Sequence, residues 1–89
     1  METLKVSSKS RAKNVAGAIA ASLQRDPSVK LCAIGAGSVN QSAKAIAIAS
    51  GYLAPKGIEF NTKISFSSVM IDEKEKTALE FTLTTCRKE

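Results

Sequence analysis

The run from Val29 to Ile34 is apolar at every position except Lys30, and it stops at Gly35. Such a run reads as a central strand covered on both sides or nearly so. A central strand needs neighbours on either edge and helices over it, and the rest of the chain supplies both. Leu4-Lys5-Val6-Ser7 alternates apolar with polar, the mark of a short strand with one buried face. From Asn14 the period changes: Val15, Ile19 and Leu23 recur every fourth residue beside Ala16 and Ala20, an amphipathic helix that Asp26-Pro27 ends. Gly17 inside that helix costs about 1 kcal/mol against alanine, which predicts close packing by another backbone.

After the glycine turn Gly35-Ala36-Gly37 a second helix is expected from about Val39 to Tyr52. Beyond Pro55-Lys56-Gly57, the residues Ile58, Phe60, Thr62, Ile64 and Phe66 alternate with Glu59, Asn61, Lys63 and Ser65, a one-faced strand. The phase slips near Ser67-Ser68 before Val69 and Ile71, predicting a bulge or bend there. Asp72 to Lys76 reads as a charged turn, short for an extended arm, and Leu79, Phe81 and Leu83 as the last strand. The order is β-α-β-α-β-β. It implies a parallel pair with a right-handed crossover, a closing antiparallel hairpin, and two helices on one face of a four-stranded mixed sheet: a two-layer α+β sandwich. With 89 residues, one domain spanning 1–89 is expected.

At 100° per residue the second helix has two apolar sides. Val39, Ala43, Ile46 and Ala47 suit the sheet; Ala45, Ile48 and Tyr52 lie opposite, with Gln41 and Lys44 near the helix start. A helix apolar on both sides must be covered twice. Either a second copy of the protein packs around Ala45, Ile48 and Tyr52, making a homodimer, or that side is buried within one subunit.

The glycine turn invites comparison with phosphate-binding loops. Gly35-Ala36-Gly37-Ser38-Val39-Asn40 has two of the three glycines of the dinucleotide fingerprint, and Glu59, the acidic residue at about the right distance, falls in a strand. The Gly-Lys-Ser/Thr ending of a P-loop is missing. There is no histidine, no facing pair of carboxylates by pattern, and no serine or cysteine beside a base, so neither an enzyme nor a cofactor is expected. Cys32 and Cys86 lie far apart without metal-ligand spacing, which argues for two free thiols in a reducing compartment and against a metal site. No apolar run approaches the roughly 20 residues of a membrane span, and METLKVSSKS lacks the apolar core of a secretory signal, so a cytoplasmic protein is expected.

The net charge is +5. It suits either an anionic partner, nucleic acid first, or simple solubility. Topology separates the two. In a right-handed β-α-β-α arrangement both helices begin at the carboxyl edge of the sheet, which brings Lys9, Arg11 and Lys13 beside Gly35, Gly37, Ser38 and Asn40, with Lys44 a turn further on. Cations at a helix start oppose the macrodipole unless an anion joins them, and the bare amides there are matching donors. This edge is the candidate phosphate-contacting surface; a solvated basic loop is the plain alternative.

LKVSSKS, NVAGAIA, AIGAGSVNQSAKAIAIASGYLAP and IDEKEKTALEF together resemble the stage V sporulation protein S family over essentially the whole chain. That family is similar in fold to Alba, a small archaeal chromatin and RNA-binding protein, and to the C-terminal domain of a translation initiation factor. The resemblance implies the same β-α-β-α-β-β order, a dimer, and regulation of sporulation through binding of DNA or RNA. Alba-type proteins touch nucleic acid with a lysine-bearing loop after the first strand, which Lys9 matches. They also use basic residues in the turn before the second helix, where this chain has Ala36 and Ser38, and a basic hairpin arm, where Asp72, Glu73 and Glu75 offset Lys74 and Lys76. These departures keep open the alternative of a regulator of sporulation or cell division that binds a protein partner instead.

Overall fold

The structure is a computed structural model and describes residues 1–86; residues 87–89 of the expected 1–89 domain lie outside the described residues. The elements are β1 (Glu2–Val6), α1 (Ala12–Arg25), β2 (Ser28–Ala33), α2 (Ala36–Leu53), a 3₁₀ turn (Ala54–Lys56), β3 (Glu59–Ile71) and β4 (Lys74–Cys86). The sheet order is β1-β2-β4-β3, with β1 and β2 parallel and the remaining pairs antiparallel. The two-layer α+β architecture is the expected one.

The core lies between the helices and one face of the sheet. Val29, Leu31 and Ala33 of β2 meet Leu83 and Phe81 of β4, and over them sit Ile19 and Leu23 of α1 with Ala45, Ala49 and Leu53 of α2. The central strand is therefore not covered on both sides. Its other residues, Ser28, Lys30 and Cys32, are only half-buried, because no second helical layer exists to cover them.

Gly17 is exposed and has nothing within 4 Å of where a Cβ would stand, so the expected close approach at this position is absent. The approach occurs at Gly37 instead.

The second helix is longer than its pattern suggests and rotated from it. Its buried residues are Ser38, Ser42, Ala45, Ala49 and Leu53, whereas Ala43 and Ala47, expected against the sheet, are exposed and Val39 and Ile46 are half-buried. Two serines line the buried stripe because each satisfies its hydroxyl on the preceding turn: Ser38 donates to the Ile34 carbonyl at 2.9 Å and Ser42 to the Ser38 carbonyl at 2.8 Å. Of the expected dimer face, this corrects Ala45 alone. Ala45 is fully buried in the chain's own core, Ile48 is half-buried and Tyr52 is exposed.

No bulge interrupts the final hairpin. Pairing runs one-to-one from Glu59↔Cys86 to Ile71↔Lys74. The pairing of β2 ends at Ala33↔Leu79, so Ser67–Ile71 and Lys74–Ala78 project beyond it as a two-stranded arm. The slipped alternation marks where the strand leaves the sheet body and no core holds its apolar residues to one face. The expected five-residue charged turn is only Asp72-Glu73, with φ of 50° and 62°, the paired positive values of a two-residue hairpin turn. Lys74 to Lys76 belong to β4, and the arm is long where the sequence suggested a short one. It contributes to the elongated envelope of 45 × 23 × 17 Å.

Candidate nucleic-acid interface

Two connections meet at the carboxyl edge of β1 and β2. The first, Ser7–Arg11, is a tight turn held by its own serines: the Ser10 amide donates to the Ser7 carbonyl at 3.1 Å, the Ser7 amide to Ser10 Oγ at 2.9 Å, and the Lys9 amide to Ser7 Oγ at 3.2 Å. The second is Ile34-Gly35 leading into α2. Gly35 takes φ 89° and ψ 159°, a region open essentially to glycine alone.

The two connections touch. Gln41 Nε2 donates to the Ser10 carbonyl at 2.6 Å, and Gly37 faces Ser8 so closely that a Cβ added to it would stand 2.7 Å from Ser8 Cβ. The two glycines of the turn thus serve different ends. Gly35 supplies a backbone conformation, and Gly37 the space that lets the first loop dock on the second helix.

This docking gathers most of the expected edge. Lys9, Arg11, Lys13, Gly35, Gly37, Asn40 and Lys44 are all exposed. Ser38 is not available as expected, since its side chain is buried and its hydroxyl is committed to Ile34. Neither helix carries an acid in its first turn, and neither has a side-chain cap. The ladder of α1 begins with the Asn14 and Val15 amides on the Arg11 carbonyl, and that of α2 with Val39 on Gly35, so the amides before them have no partner within the helix. Among the described residues the ion pairs are Arg25–Glu2 at 3.4 Å and Lys30–Glu80 at 3.6 Å, and no carboxylate reaches Lys9, Arg11, Lys13 or Lys44. Four cations and two positive dipole ends therefore share one edge without a counter-charge among the described residues. Such an arrangement attracts anions and holds them by backbone N–H and ammonium or guanidinium donors. The arm reaches the same edge: Val69, Met70 and Ile71 face Val6, Ile34 and Cys32 across a cavity of ≈ 300 Å³.

Cys32 and Cys86 are free and half-buried, and among the described residues no three His, Cys, Asp or Glu side chains cluster to hold a metal. No helix of the described residues is long and apolar enough to cross a membrane. The alternating pattern of β3 concealed one feature, its exposed apolar residues: Ile64 is 59% exposed, Phe66 80% and Met70 68%. Ile64 and Phe66 pair with Phe81 and Leu79 and so share the core side of the sheet, but they lie beyond the helices. The available signal was a count of layers: two helices do not span four strands whose last two run to thirteen residues each.

The fold is shared with Alba from Thermoplasma volcanium, at a TM-score of 0.62 and 11% identity over 96% of this chain and 99% of that one. At that identity the likeness speaks for the fold alone. A match to the sequence profile of Stage V sporulation protein S extends over residues 2–86, nearly the full length, and includes every residue of the edge described above. The chain belongs to the stage V sporulation protein S family, a sporulation-associated family with an Alba-like fold.

Proposed function

We propose that this chain is a dimeric, single-domain, cytoplasmic regulator of sporulation that binds DNA or RNA through phosphate contacts at the carboxyl edge of β1 and β2. The observation that carries the reading is the uncompensated charge of Lys9, Arg11 and Lys13 beside two helix starts that lack acids and caps. Lys9 and Arg11 reach a phosphate as cations, while the amides at the starts of α1 and α2 donate to its oxygens. Gly37 and Gln41 act indirectly, by holding the loop that carries Lys9. No catalytic step belongs to this reading. All three phenylalanines, Phe60, Phe66 and Phe81, sit on the helix side of the sheet. None of the named edge residues is aromatic either, so backbone contact rather than base stacking fits this edge.

The test is fluorescence anisotropy with mixed-sequence duplex DNA, single-stranded DNA and RNA across a salt series. Affinity should fall steeply with salt. Replacing Lys9, Arg11 and Lys13 together by alanine should reduce the duplex salt slope by about 2–3 and weaken low-salt binding at least tenfold. Undetectable binding at low salt, or binding unchanged in the triple variant, refutes the reading.

The dimer surface in this proposal keeps Ile48 and Tyr52, drops the buried Ala45, and adds apolar residues that the helices leave open. These are Ala43 and Ala47 of α2 with Ile64 and Phe66 of β3. A long apolar edge strand left bare is an aggregation template, and a second copy covering it removes that exposure.

A further inference from the structure

The other edge of the sheet offers a second surface, which shares Arg11 with the phosphate-contacting set. Among the described residues β1 pairs with β2 alone, which leaves the outer backbone groups of Glu2–Val6 without a strand partner there. Alongside it runs a groove of ≈ 440 Å³ between β1 and α1. Leu4, Val15 and Ala18 make its apolar floor, Asn14 stands at its wall, and Lys5 and Arg11 supply its charge. At the far end of β1, Glu2 is already matched by Arg25 at 3.4 Å. The groove is thus neutral at one end and doubly positive at the other, with no acid lining it.

We propose that this groove binds an extended acidic peptide segment of a protein partner, which adds a strand to β1. The free backbone edge supplies main-chain hydrogen bonds. Alternate side chains of the added strand turn toward Leu4, Val15 and Ala18, so that set is apolar. The intervening acidic residues turn to the other face, where Lys5 stands, and Arg11 offers a second cation at the end of the groove. β1 is five residues long, which accommodates about 16 Å of added strand, a segment of four or five residues. Charge selects this occupant over the alternatives. A second copy adding its own β1 would offer Glu2 as its one acid there, and Arg25 already matches that residue. A nucleic acid would meet the cations but set its phosphates against an apolar floor and leave the strand edge unpaired.

The probe is an acetylated, amidated hexapeptide alternating valine and aspartate, titrated into the isotopically labelled full chain and followed by amide resonances. Saturable shifts are expected at Thr3–Lys5 and Val15–Ala18, with slower amide exchange along β1. The matching valine–lysine peptide should produce none. Lys5→Glu and Ala18→Glu both alter exposed positions outside the phosphate-contacting set. Each should weaken the peptide by about tenfold while leaving the melting curve and nucleic-acid binding near those of the parent chain. The proposal is overturned if the acidic peptide leaves β1 unshifted at millimolar concentration, or if the lysine peptide binds equally well. It is also overturned if an RNA or DNA oligonucleotide, rather than the peptide, shifts the β1 amides. Peptide binding in a chain that ignores nucleic acid would refute the phosphate reading and support this one; the reverse pattern would do the opposite.

Discussion

Gly17, Gly35 and Gly37 look alike in the sequence and answer to different physics. Gly17 faces open solvent in mid-helix, so Gly17→Ala should raise stability by about 0.5–1 kcal/mol in a denaturant titration through helix propensity alone. Gly37→Ala places a methyl group 2.7 Å from Ser8 Cβ and should cost about 1–3 kcal/mol, with Ser8→Gly in the same chain recovering most of the loss. Ser22 is fully buried in α1 and its hydroxyl has no partner, so Ser22→Ala should stabilise by about 1 kcal/mol in the same assay. The turn was legible as a turn, since two close glycines after an apolar run announce one. That Gly37 answers to Ser8 was not legible, because the contact joins a loop to a helix distant in sequence and leaves no local pattern.

Among the elements, both helices and all four strands were readable from their periods, and the errors cluster where a period misstates burial. In α2 the buried stripe runs through Ser38 and Ser42, which hydropathy counts as polar although each is satisfied by the carbonyl four residues before it. Alanine, abundant on every side of this helix, discriminates weakly between faces. In β3 the alternation fails beyond Phe66 because the pairing of β2 has ended and nothing enforces parity. The arm is closed by Asp72-Glu73, two residues forced to positive φ where glycine would be relaxed. Glu73→Gly should therefore stabilise the hairpin by about 1 kcal/mol, seen as slower amide exchange in Val69–Lys76 with little change in the sheet body.

For the whole molecule, the basic edge lies at the carboxyl ends of β1 and β2, where the arm's Met70 and Ile71 also reach. Ile64 and Phe66 stand bare on the helix side of the opposite sheet edge. Phe66, 80% exposed, is the most exposed large side chain on that surface. Phe66→Asp should leave the fold intact and shift sedimentation from dimer to monomer; a wild-type chain already monomeric at high micromolar concentration would refute the proposed dimer. The contact between the two loops carries a consequence for recognition. With Gln41 on the Ser10 carbonyl and Ser8 seated on Gly37, the turn before α1 is fastened to the start of α2 before any ligand arrives. The ordering entropy of that surface is met during folding, so an anion that engages one helix start finds the other already in register.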